Sequence, residues 1–332
     1  MSAGAPSMYS PAAAEMAARL GLKLGRANLE EFGATLLKLA TENPRIVAVT
    51  SDSRGSGKLV NFGAALPCQM IELGIAEQNL VGVSAGLSSV GKIVFAVSPA
   101  CFLTARALEQ IKNDIAYSNN PVKLIGISAG VSYGALGSTH HSLHDLAALR
   151  AINNIDIVVP GDNFEAREAI KTAAGHSRPM YIRFGKAPLY DLNQAQQGFE
   201  IGKARLIRDG SDIAFIATGE TVIHALLAAA ALADEGISGR VVSMHTIKPL
   251  DRQAVLDAAN RCAAVITVEE HSVFGGLGEA CAAVLLQAKA TPRFRIVGIP
   301  DEYTVTGSQA DIFRHYGITM EALTTLARNL LR

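Results

Sequence analysis

The sequence predicts an α/β protein of two domains, each built on a mostly parallel sheet with helices on both faces. Three observations predict it. Short apolar runs alternate with longer helical stretches along nearly the whole chain, the pattern of strand–helix–strand units that close into parallel sheets. One stretch, Pro188–Gly202, breaks that alternation with Pro, Asn, Gln and Gly. The chain has 332 residues, 49 % hydrophobic and 18 % charged, which suffices for two cores of ordinary size.

The elements follow in order. Residues 1–20 are rich in Ala, Ser and Pro and are expected to fray or to serve as a packing arm. A helix over Asn28–Thr41 leads to a strand at Ile46–Thr50. Strand-like runs recur at Met70–Leu73, Ile93–Val97, Val122–Ile127, Ile155–Val159 and Met180–Phe184, each too short for a stable helix. Helices are expected between them at Ala76–Ser89, Thr104–Tyr117, Leu143–Ala151 and Asn163–Ala174. The second α/β run has strands at Ile213–Thr218, Gly239–Ser243, Ala264–Glu269 and Arg295–Gly298. Its helices lie at Thr221–Glu235, Asp251–Asn260, Gly278–Gln287 and Thr319–Leu331. The chain thus divides into an arm (1–27), a first domain (28–190), a linker (191–202) and a second domain (203–332).

Composition excludes several function classes. Thirty basic residues balance thirty acidic ones and no basic run exists, so nucleic acid is not an expected partner. No apolar run is long enough to span a membrane, and the start lacks a secretory pattern, so a cytoplasmic protein is expected. Cys68, Cys101, Cys262 and Cys281 form no CxxC pair and read as buried thiols of a reducing compartment.

Four segments carry candidate chemistry. In Met70–Gly86 a short strand and a turn lead into a nearly all-apolar helix with one carboxylate, Glu77, at its start. A helix apolar on every face is expected to be buried. A Glu buried with it tends to hold a proton and then donates a hydrogen bond at neutral pH. The plainer reading is a Glu that caps its own helix. The second segment is the Gly-rich loop Gly134–Asp145, placed after a strand where open sheets bind ligands. His140 and His141 suit proton transfer there. His140 and His144 have a spacing that a metal could bridge, but the Glu of HExxH is missing. The alternative is a loop histidine that caps the next helix.

Third, Phe102, followed by Arg106-Ala107-Leu108-Glu109-Gln110, stands at a strand–helix junction, where an aromatic ring stacks on a planar heterocycle or simply packs in the core. Fourth, Arg183 ends a strand, and Arg54 and Ser56 lie in a Ser- and Gly-rich loop; both places suit a phosphate or carboxylate. Gly275–Gly278 opens a helix and reads as an anion site or, more simply, as a tight turn.

Together these residues resemble the transketolase family, specifically its C-terminal half, from about residue 28 to the end. The resemblance implies a pyrimidine-binding domain followed by the transketolase C-terminal domain. GIAEQN resembles the segment with the glutamate that activates thiamine diphosphate, here Glu77. GSTHH resembles the family's substrate-contacting histidine segment and assigns His140, with His141 beside it, to substrate. Phe102 resembles the ring that stacks on the aminopyrimidine. Asp52 and Arg106 are assigned near the cofactor, Ser56, Arg54 and Arg183 to a substrate phosphate, and Ser128, where the family has a phosphate-binding histidine, to the substrate as well.

The family's Mg²⁺ and diphosphate motif has no counterpart here. The resemblance therefore implies one subunit of a split enzyme, with Mg²⁺ ligands on an N-terminal partner chain and two copies of each chain. Three departures from the family pattern, Leu136, Ser128 and Leu29, put the usual pentose phosphates in doubt. The implied reaction moves a two-carbon ketol unit from a ketose to an aldehyde. The β subunit of a 2-oxo acid dehydrogenase, a deoxyxylulose-phosphate synthase and a non-catalytic subunit are the competing expectations.

Overall fold

A computed structural model describes residues 8–192 and 198–332. The strands of the first half are β1 (Leu24–Ala27), β2 (Ile46–Thr50), β3 (Met70–Glu72), β4 (Ile93–Pro99), β5 (Lys123–Ile127), β6 (Asp156–Val158), β7 (Met180–Phe184) and β8 (Pro188–Tyr190). Those of the second half are β9 (Arg205–Arg208), β10 (Ile213–Ala217), β11 (Gly239–Ser243), β12 (Thr246–Lys248), β13 (Ala264–Ser272) and β14 (Arg293–Ile299). Seven strands form one sheet in the order β12-β6-β7-β5-β4-β2-β3, and five form another in the order β14-β13-β10-β11-β9. All neighbours within the two sheets are parallel except the edge strands β12 and β9. Two α/β domains with helix-covered sheets are therefore present. Central strands such as β4, β5 and β13 are buried along nearly their whole length, as parallel strands covered on both faces must be.

The structure differs from the sequence reading at several points. Strand β12 belongs to the second half of the chain but pairs antiparallel with β6 of the first sheet. It protects the short edge strand β6, and Lys248 Nζ donates to the carbonyls of Arg150 and Ile152 at the end of a helix. Strand β8 lies at the start of the stretch read as a linker and pairs with β1 across the first domain. Residues 193–197 of the linker and 1–7 of the arm lie outside the described residues. The rest of the arm forms the helix Pro11–Arg19, capped by Ser10 and fastened to the second domain by an Arg19–Asp234 ion pair, and then strand β1, which joins it to the first domain.

The expected Thr104–Tyr117 helix is instead three pieces, Ala100–Arg106, Leu108–Gln110 and a π-helical Ile111–Tyr117. The first starts directly off β4, so Phe102 sits in its opening turn. The helix Glu77–Ser89 is not buried on every face. Leu80, Val81, Ser84 and Ala85 point inward, whereas Gln78, Asn79 and Gly86 are exposed. Among the described residues nothing stands within 4 Å of a side chain added at Gly82 or Gly86, so they leave that face uncovered. Cys68 is exposed, on a short 3-10 turn outside the core, while Cys101, Cys262 and Cys281 are buried.

One core cluster crosses the domain boundary. Tyr181 and Val159 of the first domain pack in it with Val242, Met244 and Val265 of the second. The halves meet through apolar and ionic contacts together, and that joint frames the candidate site.

Candidate active site

Five parallel strands bring their carboxyl ends to one side of the first sheet, and each leads into a segment with a candidate group. β3 runs into the helix that starts at Glu77, and β4 into the helix carrying Phe102 and Arg106. β5 runs into the His140 loop, β2 into Asp52, and β7 into Lys186.

Glu77 opens its helix and is 5 % exposed. Arg106 Nη1 donates to its Oε1 at 2.9 Å. The same guanidinium lies over the Phe102 ring, 4.3 Å from the centroid. His140 meets Phe102 edge-on at 5.2 Å and Tyr133 edge-on at 5.3 Å. Lys186 Nζ stands 4.9 Å from the Tyr133 centroid. Glu77, Arg106, Phe102 and His140 thus come together, and the structure adds Tyr133 and Lys186, which the sequence reading missed. Lys186 lies three residues beyond Arg183 in the same segment, so the sequence held two cations there without indicating which one faces outward.

Arg183 is not an outward cation. It is 4 % exposed, with Nη1 on Asp145 at 3.0 Å and Nη2 on the Glu270 carbonyl at 2.9 Å. Tyr181 also donates to Asp145, at 2.6 Å. The Arg183 guanidinium is consumed inside the joint, because a buried Asp145 needs a paired charge. His141 is also structural. Its Nε2 bonds the Gly134 carbonyl and its Nδ1 bonds Thr304 Oγ1, each at 2.9 Å. Burial pushes its pKa down, which keeps it neutral. Ser128 is fully buried at the turn after β5. Leu29 packs in the first domain's core and so offers a substrate nothing, whereas Leu136 is 54 % exposed on the His140 loop.

The loop after β2 is folded on itself. Asp52 N donates to Glu72 Oε1 at 2.6 Å, Ser56 Oγ to the Ser53 carbonyl at 3.3 Å, and Arg54 packs over Gly63. Asp52, Arg54 and Ser56 remain exposed at the carboxyl edge. The Gly275–Gly278 turn already holds a carboxyl of this chain: Leu277 N and Gly278 N donate to Glu269 at 2.7 and 2.8 Å. His140 and His144 do not share a partner; Thr139 meets His140 Nδ1 and Thr104 meets His144 Nε2. Among the described residues no group of three His, Cys, Asp or Glu is placed to hold a metal ion.

Behind the loop lies an acid pair that sequence reading also missed. Gln309 Nε2 donates to Glu220 at 2.6 Å and to Glu270 at 2.8 Å. Burial pushes both carboxyls above the ordinary range, with repulsion from Glu270 adding to it at Glu220 and repulsion from Asp145 at Glu270. The folded chain therefore binds these protons more readily than the unfolded chain does, and stability falls as pH rises through that window. The thermal midpoint is expected to decline from the ordinary carboxylate range into neutral pH, and Glu220→Gln to flatten that decline. Parallel pH profiles for the two proteins would refute this.

Comparison with known proteins agrees with the geometry. Residues 26–190 match the family described as transketolase, pyrimidine binding domain, and residues 202–323 match the transketolase, C-terminal domain. One of the subunits of an apulose-4-phosphate transketolase from Phocaeicola vulgatus is 47 % identical over 91 % of this chain and 97 % of its own length. A 6-deoxy-6-sulfo-D-fructose transketolase subunit from a Clostridium species is 35 % identical over 89 % of this chain and 91 % of its own. A 1-deoxy-D-xylulose-5-phosphate synthase from Syntrophotalea carbinolica is 34 % identical over 90 % of this chain but only 47 % of its own. Among solved structures, a split gene transketolase described as an inactive beta4 tetramer superposes with a TM-score of 0.83 at 37 % identity, over 92 % of this chain and 98 % of its own. With both domains matched in order over nearly its whole length, this chain belongs to the transketolase family, as the C-terminal half that occurs elsewhere as a separate subunit.

Proposed function

We propose that this chain is the catalytic C-terminal subunit of a two-chain, thiamine diphosphate-dependent transketolase that moves a two-carbon ketol unit from an anionic ketose to an aldehyde. The observation that carries this is the meeting of Glu77, Arg106, Phe102 and His140 at one opening on the carboxyl edge of the sheet. These residues fit the cofactor's aminopyrimidine: an aromatic face, a carboxyl at the same opening, and a half-exposed arginine between them that can swing away at small cost. When bound, thiamine diphosphate supplies the electron sink for the two-carbon fragment. Glu77 hydrogen-bonds the aminopyrimidine and governs its proton. Phe102 orients the ring. His140, with Nδ1 held by Thr139, turns Nε2 to the donor's carbonyl or hydroxyl and relays a proton.

Mg²⁺ and the diphosphate are held by an N-terminal partner chain, with two copies of each chain in the assembly. Two observations support this division: relatives of about the same length are named as single subunits of a transketolase, and one face of the Glu77 helix is left bare. We place the enzyme in the cytoplasm, where the four free thiols stay reduced. The test is reconstitution. The chain alone is expected to be inactive, and the chain with its partner, thiamine diphosphate and Mg²⁺ to transfer ketol units from a panel of ketose phosphates. Consumption of pyruvate with release of carbon dioxide would favour the synthase reading instead.

Substrate charge falls to Lys186 in place of Arg183, with Arg54 and Ser56 at the same edge. Leu136 offers a donor hydroxyl no partner, which favours a donor lacking a hydroxyl at that point. Lys186→Met is expected to raise KM for an anionic ketose about tenfold with kcat preserved, a loss typical of one charged hydrogen bond. An unchanged KM would remove Lys186 from the site.

A further inference from the structure

The second domain reaches around the His140 loop and fastens it at three places. At the loop's entry, Val131 N donates to Glu270 Oε1 at 2.8 Å. At its exit, Ser272 N donates to the Leu143 carbonyl at 3.2 Å. Between them, Thr304 Oγ1 lies 2.8 Å from Ser138 Oγ and 2.9 Å from His141 Nδ1. The loop has no slack against this frame. A side chain at Gly130 would meet the Glu270 carboxyl at 2.3 Å, and one at Gly134 would meet the Gly307 carbonyl at 2.5 Å. Both glycines also have positive φ, 59° and 48°, which other residues resist.

The polarity of the Thr304 contacts can be worked out. The Gly134 carbonyl only accepts, so His141 Nε2 must carry the proton and donate to it. His141 Nδ1 is then an acceptor, and the Thr304 hydroxyl donates to it. The Thr304 oxygen is left to accept from Ser138. The Gly134 carbonyl thus fixes the tautomer of His141, and the one Thr304 hydroxyl ties both the His141 ring and Ser138, the residues flanking Thr139-His140. Thr139 in turn holds His140 Nδ1. No group of the second domain touches the His140 ring itself among the bonds and ring contacts described, so its influence passes through the neighbours on either side.

We infer that Thr304 is a positioning residue for the reaction: the second domain sets the placement of His140 through the Thr304 hydroxyl, with Glu270 anchoring the loop's entry. This rests on the proposed role of His140. Misplacing a substrate-contacting group by a fraction of its working distance is costly even when the mutated residue lies outside the chemistry.

The experiment compares Thr304→Val, which keeps the shape and removes the hydroxyl, with Thr304→Ser, which keeps the hydroxyl. In the isolated chain, the His141 ring nitrogens are followed by NMR. Both variants are expected to keep the Nε2–H tautomer, which the Gly134 carbonyl holds, but only the Val variant to shift the Nδ1 resonance to that of a nitrogen without a hydrogen-bond donor. In the reconstituted complex, Thr304→Val is expected to lower kcat about ten- to a hundred-fold, with native mass and thiamine diphosphate affinity unchanged, and Thr304→Ser to restore most of it. Full turnover in Thr304→Val despite the shifted His141 Nδ1 resonance would overturn the inference. Equal loss in both variants would also overturn it, since packing and not the hydroxyl would then matter. Full turnover in His140→Asn would instead remove the proposed role of His140, a result separable from either.

Discussion

Glu77→Gln is expected to lower turnover of the assembled enzyme by about a hundred- to ten-thousand-fold, the range typical for loss of a positioned acid or base. The substitution keeps the size of the side chain and an oxygen that can still accept from Arg106, so the helix start and the fold should persist. What it removes is the ability to hold and release a proton at the cofactor's ring. The Glu77 carboxyl in this chain accepts a hydrogen bond from a guanidinium; it does not donate one. On the proposed reading its working partner is delivered with the cofactor and the second chain, and Arg106 yields the position. Turnover of the purified complex, with circular dichroism and native mass as controls, checks this. Near-normal turnover would sink the assignment of Glu77 and return it to the plain role of a helix-start acid.

Arg183→Met is expected to have the largest effect on stability, about 3–5 kcal/mol lost, because it leaves Asp145 charged and unpaired in the interior. Asp145 is fully buried and is also held by Tyr181, so it has no route to water. The Glu270 carbonyl loses its partner as well. Urea unfolding of the isolated chain measures this directly. The competing expectation, drawn from the position of Arg183 at the end of a strand, is a protein of normal stability with weakened affinity for an anionic substrate. That pair of results would restore Arg183 to the binding site and displace Lys186. The two predictions probe different levels: on the proposed reading Glu77 acts only once a partner closes over it, whereas Arg183 acts within the single chain.

The sequence by itself determined the two α/β domains, the order of their central strands along the chain, and the family. These follow from local signals: apolar runs that form strands, a compositional break between domains, and short motifs in fixed order. The family resemblance also assigned Glu77, Phe102 and His140 to one site, and the fold brings them together because each follows a strand and parallel strands deliver their carboxyl ends to one edge. Tertiary structure decided which of several equally polar residues face outward. Arg183 and Lys186 are both cations at the end of β7, and His140 and His141 are adjacent. In each pair one side chain turns to the opening and the other is consumed by a buried partner from elsewhere in the chain. Those partners, Asp145 for Arg183 and Thr304 for His141, lie 38 and 163 residues away. The edge strand β12 was hidden for the same reason, since what recruits it is the unpaired side of β6 in the other half. Short-range pattern reports what a segment is; burial and charge pairing between distant segments report what it is used for.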